Sequence, residues 1–345
     1  MIRGADTIGS DRLLQVDLLK GAAIIAVVLL HAMTRSQQIA YQTAFFIAQA
    51  VPVFFLLMAF NAKRSFDRRF EGATLLDIYR SGQVCRRLLR LTLPLGVAVA
   101  VSIVGGIMSG RPLYFGWLSL LLRLPVPLRG NFFVAVSIAF ALLAPLLFVA
   151  YRKNSSATVI MCVVLDLGFE ILATQVPLFA STYYIYQVIP LRFIALFGLG
   201  MWLGDDARPT SRRNWFIVPC ALASVGYLVA YAFGLRTAFL DREHMYNILA
   251  FGYPLLIVSA GLTWLPRSTT GAVLNAVAEL GMASYHIFLV QAVWFAFGVG
   301  GLQRGDPGWV LLSVVACCGA GWAWFHLGRL WRRRGDSMGA RSRRS

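Results

Sequence analysis

The stretch Leu13-Leu-Gln-Val-Asp17-Leu-Leu-Lys20-Gly-Ala-Ala-Ile-Ile-Ala-Val-Val-Leu-Leu-His31-Ala-Met33 decides the fold class. Gly21 to Leu30 carries no polar side chain, and with its flanks the run reaches the ~20 residues a helix needs to cross a bilayer core. Similar runs recur at 40–62, 91–108, 132–151, 157–175, 188–204, 214–233, 246–264, 280–299 and 310–328. They are long and continuous, unlike the roughly ten-residue alternation of an outer-membrane barrel strand. The expected fold is therefore all-α, a polytopic membrane protein of about ten transmembrane helices. The apolar piece 113–122 is too short to cross and runs into Arg123, Pro125, Pro127 and Arg129, so it reads as a re-entrant or interfacial segment.

Composition excludes a string of soluble domains. Of the 345 residues 58% are hydrophobic and 14% charged, against about 25% charged in soluble domains. A single transmembrane domain is expected over 1–328, followed by a basic, Ser/Gly-rich tail over 329–345. That composition predicts disorder, held near anionic headgroups. Asp17 and Lys20 interrupt the first run, so it reads as a retained span rather than a cleaved leader.

The formal charge of +17 would suggest nucleic acid in a soluble chain. Here the basic residues lie between the apolar runs. With the N-terminus in the cytoplasm, most of the 32 Lys and Arg fall on the cytoplasmic side, among them Lys63, Arg64, Arg68, Arg69, Arg80 and Arg86. The positive-inside rule thus accounts for the charge and puts both termini in the cytoplasm. No nucleic-acid partner is expected. Cys85, Cys162, Cys220, Cys317 and Cys318 form no C-x-x-C pair, so neither a disulfide framework nor a metal site is expected.

Charges inside spans are costly and mark candidate sites. Lys20 and His31 are eleven residues apart, which on a helix places them on one face about 16 Å apart, with Asp17 one turn before Lys20. The plain alternative is a Lys20 that snorkels to the interface beside Asp17, and a His31 that caps a loop. Arg86, Arg87 and Arg90 form a cationic helix face suited to phosphate, or else an ordinary positive-inside anchor. Asp166 and Glu170 lie one turn apart in the fifth run, with Arg192 in the sixth. They fit an acceptor site or a structural ion pair. His244 lies in a charged loop, and His286 and His326 are single histidines in or at the end of spans.

The run from Asp17 through Lys20 to His31 resembles the first-helix motif of the acyltransferase 3 family, bacterial integral-membrane acyltransferases marked by a basic residue, ten residues, then His. Later features follow in the family's order. Val51-Pro52-Val53-Phe54-Phe55-Leu56 is similar to its Pro-x-Phe-Phe helix, and Arg86-Arg87-Leu88-Leu89-Arg90-Leu91-Thr92-Leu93-Pro94 to its Arg-Arg-x-x-Arg-x-x-x-Pro entry. Phe132 through Pro145 resembles the helix that ends before a Pro. Leu280-Gly281-Met282-Ala283-Ser284-Tyr285-His286-Ile287-Phe288-Leu289 resembles the late Leu-Gly-x-x-Ser-Tyr-x-Ile-Tyr-Leu motif. Three positions depart: Lys20 stands where Arg is usual, Met58-Ala59-Phe60 where Ser-Gly-Tyr/Phe is usual, and Gln291 where His is frequent.

The resemblance implies transfer of an acyl group, most often acetyl, from acyl-CoA to a hydroxyl of a glycan or glycolipid-type acceptor, in a bacterial cytoplasmic (inner) membrane. Acyl-CoA is then a donor substrate, and no bound cofactor is expected. Lys20 with Arg86, Arg87 and Arg90 would hold the donor phosphates, and Asp17 would support Lys20. His31 would act as general base on the acceptor, or become acylated itself. Two other readings stay open. One is a proton-coupled secondary transporter using Asp166, Glu170 and His31, though no inverted repeat is visible. The other is a catalytically weakened assembly protein of the same fold.

Overall fold

A computed structural model describes residues 13–113, 115–116, 119, 121–123, 130–205, 211–235, 239, 245–268, 271–297 and 304–342. Among them there is no strand. In chain order the α-helices are α1 Leu14–Ala32, α2 Arg35–Ala40, α3 Ala50–Asp67, α4 Leu75–Arg80, α5 Gln83–Met108, α6 Phe132–Lys153 and α7 Ser155–Gln175. There follow α8 Pro177–Ser181, α9 Tyr183–Val188, α10 Ile194–Leu203, α11 Ser211–Ala232, α12 Gly252–Trp264, α13 Ala272–Phe297 and α14 Pro307–Ser342.

Among the described residues 8 helices are long and apolar enough to cross a membrane: α1, α3, α5, α6, α7, α11, α13 and α14, or the greater part of each. The expected runs at 188–204 and 246–264 fold as shorter apolar helices, Pro190–Leu203 and Ile248–Trp264. Two further stretches singled out in the sequence lie at the edge of the described backbone. Residues 114, 117, 118, 120 and 124–129 lie outside the described residues, so the proposed re-entrant segment near 113–122 is covered only in part. The stretch 329–342, expected to be disordered, continues α14 as helical backbone through Ser342.

The outer surface suits lipid. On α5, Leu93, Val97, Val101 and Val104 are exposed along one face, and on α7 so are Ile160, Val164, Leu167 and Ile171. Stripes of this size would be sticky patches in water and are ordinary surface in hydrocarbon. Inside, where lipid and protein are equally apolar, close packing has to hold the helices together. Small residues allow it. A Cβ at Gly281 would overlap the Asp17 carbonyl, and one at Gly21 would overlap the Val277 carbonyl, so α1 and α13 touch backbone to backbone. Aromatic rings fill the centre: Phe55 packs on Phe133, Phe140 and Phe193, and Phe140 stacks on Phe197 at 4.4 Å between centroids. Among the described residues this packing leaves a void between α1, α3, α5, α6, α10 and α13.

Candidate active site

The void is a cavity of about 440 Å³ whose wall changes character along its depth. Its mouth, where α3 ends and α5 begins, is lined by Arg69, Gln83, Arg86, Arg87 and Arg90. Its interior is lined by Phe54, Phe133, Phe140, Phe197 and Phe288, with Lys20 on the α1 wall. Lys20, Arg86, Arg87 and Arg90, singled out as separate motifs in the sequence, thus border one space. Arg86 and Arg90 are exposed and Arg87 half-buried. The Arg87 guanidinium lies over the Phe66 ring at 4.2 Å, which orients it, and Arg86 Nη2 donates to the Ser81 carbonyl at 3.1 Å. Tyr285 Oη donates to the Leu91 carbonyl at 2.7 Å and ties α13 to α5 across the cavity, one turn before Pro94.

His31 does not line this space, but it lies next to its inner aromatic wall. Gly130, in the turn before α6, has φ +77°, a conformation open to glycine at little cost. A Cβ there would come within 3.2 Å of His31 Nε2 and 3.7 Å of Phe288 Cε2. The imidazole edge and the Phe288 ring therefore both approach the bare backbone of Gly130. Phe288 in turn packs on Phe133 at 4.9 Å between centroids, and both line the cavity. On its other side the His31 ring packs against Phe295 at 5.9 Å. The order along the bundle is cationic mouth, aromatic interior, then imidazole.

Asp166, Glu170 and Arg192 also come together, in a different environment. All three are 0% exposed, and none lines the cavity just described. The chain breaks at Pro190, forms a 3-10 turn over Pro190–Phe193, and starts α10 inside the packed core. A helix start leaves backbone N–H groups without helical acceptors, and no water is at hand there. Asp166 supplies one acceptor: its Oδ2 takes the Ala195 N–H at 3.1 Å. Glu170 accepts from Tyr186 Oη at 2.5 Å and faces Arg192 Nε at 3.7 Å. The Arg192 guanidinium lies over the Tyr186 ring at 4.4 Å. This geometry fits a structural ion pair at a helix break, one of the two readings of the sequence.

Asp17 is buried beside the α1–α13 contact, and its backbone carbonyl is the atom Gly281 packs against. Sequence reasoning left Arg69 as one more member of a basic run, although it lines the mouth. It also missed the aromatic interior and Gly130, which announce themselves by no motif. Proximity in space brings them in. His244 lies outside the described residues. His286 packs between Trp324 and Phe325, and His326 pairs with Glu279 at 3.0 Å, both structural settings.

No curated protein and no solved structure matches the chain. A family model described as an acyltransferase domain, acyltransferase 3, matches residues 13–326, from the start of α1 into α14. That range takes in the cavity, His31 and the α10 break alike, and the chain belongs to the acyltransferase 3 family.

Proposed function

We propose that this membrane protein transfers an acyl group, acetyl in the simplest case, from acyl-CoA to a hydroxyl of a glycan or glycolipid acceptor. One observation carries the reading. One cavity brings Lys20 and four arginines together with an aromatic interior, and its Phe288 and the His31 imidazole both approach Gly130. A nucleotide-bearing thioester has the same polarity, with phosphates at one end and an uncharged arm ending in the acyl group. Arg69, Arg86, Arg87, Arg90 and Lys20 hold the phosphates by charge-assisted hydrogen bonds. The arm lies among Phe54, Phe133 and Phe288.

His31 is the general base. As the acceptor oxygen attacks the thioester carbon, its proton passes to the imidazole. The C–O bond forms, the C–S bond breaks, and His31 returns the proton to the departing thiolate. With ten spans and both termini in the cytoplasm of a bacterial inner membrane, the arginine mouth faces the cytoplasmic donor pool. The acceptor then reaches His31 from the far side. The transporter reading loses its proton relay, because Asp166 caps α10 and Glu170 is engaged with Tyr186 and Arg192.

The test is to incubate purified protein with labelled acetyl-CoA and candidate glycans and to locate the label by mass spectrometry. Label on an acceptor hydroxyl supports the reading. Transport into proteoliposomes with no turnover of acetyl-CoA would replace it with the transporter, and absence of acetyl-CoA binding with an assembly protein.

A further inference from the structure

Gln291 is a polar side chain in a place that needs explaining. It is 0% exposed, and neither its Oε1 nor its Nε2 has a hydrogen-bond partner among the described residues. A buried amide left unpaired costs roughly 1–3 kcal/mol. An apolar side chain of the same size would fill the space without that cost.

Its level in the bundle is set by the α1–α13 contact. Near their starts the two helices meet at Asp17 and Gly21 on one and Val277 and Gly281 on the other, and further along His31 meets Phe295. The helices are therefore parallel, and each advances about 1.5 Å per residue. Gly21 packs on Gly281. Ten residues on from Gly21 is His31, and ten on from Gly281 is Gln291. Phe288 and Phe295 follow Gly281 at seven-residue steps, the repeat of a helix–helix seam in which such equivalent positions share a layer. Gln291 thus sits between Phe288 and Phe295 in the layer of His31.

We propose that Gln291 is a further catalytic residue, its amide N–H donating to the carbonyl oxygen of the acyl group at His31. This rests on the acyl-transfer reading given above. As the acceptor oxygen adds to the thioester carbon, negative charge grows on that carbonyl oxygen. A donor already fixed in an apolar surrounding stabilises it without reorganising. The charge collapses back as the C–S bond breaks, so Gln291 exchanges no proton and is unchanged at the end. The missing partner of the amide is then the substrate itself.

The test uses the detergent-solubilised full chain and follows release of free CoA from acetyl-CoA, with water or added glycan as acceptor. It compares wild type, Gln291→Met, Gln291→Leu and His31→Ala, and records thermal unfolding of each. The expected result is a fall in kcat of roughly 10²-fold in Gln291→Met and Gln291→Leu, with KM for acetyl-CoA unchanged. The unfolding temperature should be equal to or above that of wild type, because an unpaired amide has been removed. Wild-type turnover in either variant overturns the proposal. So does a lowered unfolding temperature in both, which would make Gln291 structural. If His31→Ala releases CoA as fast as wild type, or wild type releases none, the acyl-transfer reading fails first and this inference with it.

Discussion

Two sets of charges lie within the apolar helices, and the fold treats them in opposite ways. Asp166, Glu170 and Arg192 are sealed in the core, carboxylates against a backbone amide, a phenol and a guanidinium. Lys20 and the arginines of α5 border an open cavity instead, with Arg86 and Arg90 exposed at its mouth. Both sets break the rule that membrane helices avoid charge, and the rule alone cannot say which is functional. The difference is what each charge faces. The sealed cluster pairs within itself at a helix break, whereas the cations of the cavity border an open space, where the proposed donor would bind.

The comparison predicts that mutations in the two regions fail in different assays. The largest effect belongs to His31. Replacing it by alanine should cut acyl transfer by about 10²–10⁴-fold, the usual worth of a general base. The folded protein should keep its yield and unfolding temperature, since the ring lies beside Gly130 and Phe295 and not in the sealed cluster. Unaltered transfer in that variant, measured with labelled acetyl-CoA, breaks the functional half of the comparison.

Arg192→Ala should show the reverse pattern. Removing one partner of a buried ion pair leaves an uncompensated charge and costs roughly 3–5 kcal/mol. The expected outcome is a sharply lowered unfolding temperature in detergent. Replacing the pair together, as Glu170→Gln with Arg192→Met, should recover much of the loss. An Arg192→Ala variant that is fully stable but inactive would make the cluster a substrate site and end the distinction.

Lys20→Ala should weaken acetyl-CoA binding by roughly tenfold to a hundredfold, the worth of about 1.5–3 kcal/mol for a charge-assisted hydrogen bond. Lys20→Arg should keep binding, because the guanidinium carries the same charge and a broader donor fork. Isothermal titration with acetyl-CoA decides between them, and an unchanged affinity in Lys20→Ala removes Lys20 from the donor site.

The two regions also differed in how far the sequence disclosed them. The placement of Lys20 and His31 on one helix was legible, because their spacing needs only helical periodicity. The arginines of α5 were legible as a run, and their assembly with Lys20 agrees with the order of motifs along the chain. The role of Asp166 was not legible. It depends on the break at Pro190, and the run 188–204 reads as apolar enough to be one continuous span. Only the fold shows that a helix starts at Ile194 and that the Ala195 N–H needs an acceptor. Gly130 was hidden for a similar reason: its significance is a distance to His31, and the two are 99 residues apart in the chain.

The smallest effect sharpens the comparison most finely. Gly130→Ala puts a methyl 3.2 Å from His31 Nε2 at a residue with φ +77°. The backbone strain alone is of order 1 kcal/mol, a modest loss of stability. The neighbour that must give way is the imidazole edge, so the substitution should lower kcat more than it lowers the unfolding temperature, with KM for acetyl-CoA little changed. An equivalent methyl at Gly198, against Cys162 and beside the sealed cluster, should lower stability and leave the catalytic constants of the folded fraction intact. If the two alanine variants behaved alike, His31 and the Asp166 cluster would have to be parts of one cooperative unit. The separation of catalytic and structural charges in this bundle would then be wrong.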